Sequence, residues 1–206
     1  HAFNWRYADV EARAAAIQAA GYKAVLVAPA YKSAGSQWWA RYQPQDYRVI
    51  HHPLGDTNAF RNMVNALKTR GVDVYADILM NHMANESAQR SDLNYPGSAI
   101  LGLYSENTGY YSGIRLFGNL GFNYFSSTDF GEARCIGDYN DVFQVQNWRL
   151  CGGAGDAGLP DLKGTSYVIS QQQEYLRQLK TIGVKGFRID AAKHMPLSHM
   201  NGVLTA

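Results

Sequence analysis

Helical stripes closed by glycine alternate with short apolar runs along this chain, and that alternation leaves few folds open. Val10, Ala14 and Ile17 share one face of a helix predicted over 8–20, and Gly21 ends it. Residues 23–29 follow as a compact apolar run closed by proline, which reads as a strand buried on both faces. Phe60, Met63, Val64 and Leu67 then repeat at i, i+3, i+4 and i+7 behind an N-cap at Asp56 or Thr57, and Gly71 stops that helix. Residues 72–79 make the next strand. A helix over 166–182, closed by Gly183, leads into a strand over 184–190. Short turns between such units mean a parallel sheet with helical crossovers. One gap breaks the rhythm. Residues 83–165 are rich in Gly, Asn, Ser and Tyr and carry no sustained helical period. A stretch of that length is expected to be a functional insertion with its own irregular or β structure.

Composition narrows function mainly by exclusion. Apolar residues make up 46% and charged residues 17%, the reverse of the balance that keeps a chain disordered. A formal net charge of +2 offers no electrostatic case for a nucleic-acid or anionic-membrane partner. No apolar run approaches the ~18–20 residues that span a bilayer. At 206 residues the chain is expected to be one domain, or one with an insertion. It opens at His1 without a signal-peptide pattern, so a processed or cut chain is expected. Aromatic residues reach 13%, which suits both stacking on sugars and filling a core. Cys135 and Cys151 fit either a disulfide in an exported protein or two free thiols in a cytosolic one. His51 and His52 have no Cys or acidic ligand at metal spacing and read as surface loop.

Polar residues gather where the predicted strands end. Asp77, Asn81 and His82 stand at one end, and Arg188, Asp190, Lys193 and His194 at another. Ligands of parallel α/β folds bind at the carboxyl ends of strands, so the chemistry is expected there. Arg188 and Asp190, two residues apart on a strand, face the same side, where a guanidinium orients a carboxylate.

The segments 77–82 (DILMNH) and 186–194 (GFRIDAAKH) together resemble the α-amylase family of glycoside hydrolases. Three further segments are similar to that family in the same order: 1–5 (HAFNW), 38–44 (WWARYQP) and 158–162 (GLPDL). The resemblance implies an α/β fold, the N-terminal half of a (β/α)8 TIM barrel. Residues 1–82 and 166–206 would form strands 1–4 of the barrel, and 83–165 the inserted domain B. It also implies endo-hydrolysis of α-1,4-glucosidic bonds in starch and maltooligosaccharides by retaining double displacement. Within that reading Asp190 is the nucleophile. His82 bonds the sugar at the −1 subsite, Tyr42 stacks there and Trp39 stacks at outer subsites. Gln43 bonds sugar hydroxyls, Arg188 supports the nucleophile, and Lys193 and His194 line the leaving-group side. Asp77 is structural in the family. The resemblance further implies calcium, held by Asn81, Asp161 and the carbonyls of His194 and Arg149. It leaves chloride at Arg188 open. It pairs Cys135 with Cys151 in a disulfide and makes the protein secreted.

The chain departs from the family in length. The family's general-acid Glu follows the fifth strand and its stabilising Asp the seventh, and neither position exists in these 206 residues. The missing C-terminal half, or a second chain, is therefore expected as a partner. The alternative is an inactive half-enzyme that at most binds glucan, and such a half-barrel is not expected to fold stably alone. Transglycosylases and α-glucosidases share the motifs, but the 38–44 segment and the long insertion favour an amylase. A non-enzymatic, transporter-associated relative fits poorly with the retained Asp190, Arg188 and His82.

Overall fold

The computed structural model describes residues 1–33 and 35–205. In chain order the first half runs α1 (Tyr7–Ala12), α2 (Ala14–Ala19), β1 (Ala24–Val27), β2 (Lys32–Ser33), β3 (Pro44–Asp46), β4 (His51–His52), β5 (Gly55–Asp56), α3 (Thr57–Lys68) and β6 (Asp73–Leu79). It continues through α4 (Ser98–Glu106), α5 (Thr108–Ile114), α6 (Val142–Asn147), α7 (Ser166–Ile182), β7 (Gly186–Asp190) and α8 (Leu197–Leu204). β1, β6 and β7 form one parallel sheet in the order β1-β6-β7, with α3 and α7 as the crossovers. This is part of a (β/α)8 barrel. Among the described residues, the first barrel strand is represented by a parallel bridge between Ala2 and Val27. The smaller sheet runs β3-β2-β4-β5 in the loop after β1.

The crossover helices form for the reasons their sequences announce. Asp56 caps α3 by accepting from Ala59 N at 2.9 Å, and Thr165 caps α7 by accepting from Val168 N at 3.2 Å. Phe60, Met63, Val64 and Leu67 bury the inner face of α3, and Val168, Tyr175, Leu176 and Leu179 that of α7. Gly183 ends α7 at φ 119°.

Four expectations need correction. The helix read over 8–20 is two helices. The Arg13 amide bonds Val10 O at 3.2 Å in a tighter turn, and the Arg13 guanidinium sits 5.2 Å from the Trp5 ring. β1 is buried at Val25 and Val27, while Leu26 is half-buried and Ala24 exposed. The insertion is mostly irregular, as expected, but in place of β strands it carries three short helices of six to nine residues and isolated bridges. His51 and His52 form β4 rather than a surface loop. His52 is buried beneath the Tyr7 ring system, with Nε2 3.0 Å from both the Tyr7 hydroxyl and Pro29 O.

The aromatic content divides between core and cleft. Tyr7, Tyr31, Tyr47, Tyr95 and Tyr175 are fully buried. Their hydroxyls satisfy main-chain carbonyls where the strands give way to loops. Tyr7 donates to Pro29 O at 3.1 Å, Tyr175 to Ala30 O at 3.1 Å and Tyr47 to Leu79 O at 2.9 Å. Gln172 does the same for Met80 O at 2.8 Å. Buried carbonyls at strand ends need such partners, and each bond fixes the loop that follows. A buried ion pair in the loop after β1, Arg48 with Asp46 at 2.8 Å, is the point to which the insertion is tied. Tyr104 of α4 donates to the same carboxylate at 3.2 Å, and Arg48 Nη2 donates to Phe122 O at 3.1 Å.

Candidate active site

The sheet register places the polar residues of β6 and β7 side by side. Asp77 pairs with Arg188 and Leu79 with Asp190 across the parallel ladder. The Arg188 guanidinium bridges two carboxylates, donating to Asp77 Oδ2 at 2.6 Å and to Asp190 Oδ1 at 2.9 Å. Tyr42 donates to the same Asp77 oxygen at 2.9 Å. Burial pushes the Asp77 carboxyl up, against the downward pull of the Tyr42 hydroxyl and the Arg188 charge. Asp77 is thus the buried anchor that holds Arg188, and Arg188 in turn orients Asp190. Ala191, the next residue, adopts φ 53° and turns the chain sharply out of the strand. A non-glycine residue in the left-handed region beside the nucleophile candidate is strain of the kind that collects at functional sites.

Asp190 opens onto a cleft of about 460 Å³ lined by Trp38, Trp39, Tyr42, Gln43, His82 and Arg188, with Leu79, Leu150, Leu159 and Ala191. Trp38 and Trp39 lie half exposed on a 3-10 turn, Trp38–Tyr42, with flat faces available to a ligand. His82 is buried. Its Nε2–H donates to Tyr42 O at 3.1 Å, and its Nδ1 accepts from Asn81 Nδ2 at 3.3 Å. Burial pushes its pKa down to about 4, so the ring is neutral at neutral pH. Leu150 and Leu159 come from the inserted segment, which therefore walls the cleft on one side.

Lys193 and His194 lie beside the cleft. Lys193 Nζ stands 5.6 Å from the Tyr139 ring centroid. His194 is buried against the insertion, with Nδ1 3.0 Å from Val145 O. Of the residues read as cation ligands, Asn81 and Asp161 come together. His82 bridges Asp161, and Leu162 N donates to Asn81 O at 2.8 Å. Burial pushes the Asp161 carboxyl up to about 8, opposed by Arg149 and by a hydrogen bond from the Asn81 side chain. The Arg149 carbonyl accepts from Ile136 N at 3.1 Å. Among the described residues no three His, Cys, Asp or Glu side chains cluster as a metal site. The candidate set holds one carboxylate, one amide and main-chain carbonyls. That all-oxygen set suits a hard cation, and a buried carboxylate short of charge compensation is what such an ion would stabilise. Cys135 and Cys151 are joined in a disulfide.

Sequence reasoning missed the leucine wall and the Asp77–Arg188 bond. The bond follows from a parallel register that no local pattern encodes. The leucines stand in a glycine-rich stretch with no periodicity to mark them.

A partial β/α barrel that presents a carboxylate and its guanidinium at a strand end, under an aromatic cleft, has the architecture of the barrel glycoside hydrolases. Residues 12–203 match the family model for the alpha-amylase catalytic domain. The chain is 55% identical over its whole length to an alpha-amylase of Aeromonas hydrophila, of which it covers 44%. It is 36% identical to an alpha-amylase of Streptomyces violaceus, with 98% of this chain and 31% of that one aligned. The crystal structure of alpha-amylase I from Eisenia fetida superposes with a TM-score of 0.77 at 28% identity, over 100% of this chain and 39% of that one. A variant of that enzyme has been solved with maltohexaose. The chain belongs to the α-amylase family of glycoside hydrolases. It spans less than half the length of the curated relatives it matches.

Proposed function

We propose that this chain carries the nucleophile half of an endo-acting α-amylase that hydrolyses α-1,4-glucosidic bonds of starch and maltooligosaccharides with retention. The observation that carries the reading is Asp190, held at 2.9 Å by Arg188 at the strand end and opening onto the tryptophan-lined cleft. Asp190 Oδ2 or Oδ1 attacks the anomeric carbon, and the glycosidic C–O bond breaks toward the leaving sugar. The leaving oxygen takes its proton from a Glu outside this chain. The same Glu, now a base, takes a proton from water as the water displaces Asp190 from the sugar. Arg188 holds the carboxylate in line through both steps, and Asp77 holds Arg188. Trp38, Trp39 and Tyr42 offer ring faces to the sugar's C–H groups, and His82 and Gln43 flank them with polar atoms.

Calcium is the cofactor this reading implies. Asn81, Asp161 and the carbonyls of Arg149 and His194 would hold it, and its charge would fix the insertion against the barrel. The disulfide supports an exported protein, because such bonds persist in oxidising compartments. The maltohexaose complex of the Eisenia fetida relative supports a maltooligosaccharide substrate.

The test is Asp190→Asn in the full-length protein. Removing the nucleophile is expected to lower kcat by about four orders of magnitude, with maltooligosaccharide binding retained. Hydrolysis at near wild-type rate would overturn the assignment.

A further inference from the structure

The two walls of the cleft belong to different parts of the chain, and one polar relay joins them. Trp39, Tyr42 and Gln43 come from the loop after β1, and Leu150 and Leu159 from the insertion. The leucines are paired, Leu159 N donating to Leu150 O at 2.9 Å. Between them, residues 151–158 include four glycines (CGGAGDAG). A loop so rich in glycine has little intrinsic preference for one shape. Its base is locked by the disulfide and by Gly158, which sits at φ 74° against Cys151 Sγ.

Its tip is locked by Asp156. Oδ2 of Asp156 accepts from Gly152 N at 2.6 Å, and Oδ1 accepts from Gly158 N at 3.0 Å. The same Oδ1 accepts from Asn85 Nδ2 at 2.6 Å. Asn85 stands at the start of the inserted segment, and its amide has a settled orientation, because Nδ2 faces a carboxylate that can only accept and Oδ1 accepts from Ser87 N at 3.4 Å. The Asn85 backbone N–H donates to Gln43 Oε1 at 3.0 Å. That bond commits the amide oxygen of Gln43 to the protein and leaves its NH2 end for a ligand hydroxyl. The relay therefore runs from the glycine loop through Asp156 and Asn85 to the opposite wall of the cleft.

We propose that Asp156 and Asn85 are positioning residues that set the width of the cleft, holding Leu150 and Leu159 opposite Trp39 and Gln43. The inference rests on the reading of this cleft as a glucan site. Neither residue lines the cleft or touches Asp190, so their effect passes through Gln43 and the two leucines. A wider cleft loses contacts made equally in ground and transition states, which raises KM and spares kcat.

The experiment is steady-state hydrolysis of maltoheptaose by the full-length protein. Asp156→Ala and Asn85→Ala are each expected to raise KM by about five- to tenfold with kcat within about twofold. Because they break one relay, the double variant is expected to be no worse than the worse single. Asn85→Asp sets carboxylate against carboxylate and is expected to raise KM more than Asn85→Ala. If Asp156→Ala does not fold, Asn85→Ala and Asn85→Asp carry the test. An unchanged KM in an active protein, or fully additive single effects, overturns the relay and leaves the Asp190 reading intact. Undiminished hydrolysis by Asp190→Asn, measured alongside, overturns that reading instead.

Discussion

At the scale of single residues, the site is built by buried groups that control exposed ones. Asp77 is inaccessible and reaches the cleft only through Arg188 and Tyr42. Asp190, Arg188, His82, Tyr42, Gln43 and Trp39 line one cleft; the first three were legible as polar residues at strand ends, the last three only through the family resemblance. Their mutual bonds were not legible, because they depend on register and loop path. His52 shows the same limit. Two adjacent histidines carry no local signal for burial, yet His52 is a core residue. Its Nδ1 accepts from Leu54 N at 3.2 Å, so protonation there would oppose two N–H groups. Burial pushes its pKa down to about 3, and that of the buried His199 down to about 4. Both sit below the unfolded value of about 6.5, so the unfolded chain binds more protons below that pH. The contribution of these two histidines to stability is therefore expected to be full above about pH 6.5 and to fall toward pH 4, by at most about 1.4 kcal/mol per pH unit per histidine. Urea unfolding of the full-length protein between pH 7 and pH 4.5 measures this slope. His52→Gln should make the slope shallower, and an identical slope would contradict the assignment.

At the scale of elements, legibility followed length and punctuation. α3 and α7 run for 12 and 17 residues with an apolar stripe, a polar N-cap and a glycine beyond the end, and both were readable. α4, α5 and α6 span nine, seven and six residues, too short for the period to stand out. Gly102, Gly109 and Gly113 interrupt the first two further. Their helical state comes from packing, with Tyr104, Tyr111 and Ile114 buried together beside Val49. The glycine after α7 makes a sharp test of the punctuation. Gly183 and Val184 both donate to Leu179 O, at 3.2 and 3.1 Å, and a Cβ on Gly183 would lie 3.2 Å from Val64 Cγ1. Gly183→Ala is expected to cost about 1–2 kcal/mol, read as a lower urea midpoint with an unchanged m-value. No shift in midpoint would contradict the role given to that backbone conformation.

At the scale of the whole molecule, the barrel sheet supplies the chemistry and the insertion shapes the space above it. The nucleophile candidate, its guanidinium and the anchoring Asp77 all come from β6 and β7. The opposing leucines, the disulfide and Asp161 come from the insertion. β7 is only partly buried along its length, with Arg188 exposed, and the relatives of this family are more than twice as long as this chain. The central claim is that Asp190 forms a covalent bond to a sugar in the whole protein. The most direct measurement is mass spectrometry of the full-length protein after reaction with a 2-fluorinated maltosyl fluoride, which slows release of a glycosyl-enzyme. One added 2-deoxy-2-fluoromaltosyl mass is expected, on the peptide that contains Asp190. A label on another carboxylate, or none from a protein that is active on starch, would contradict it.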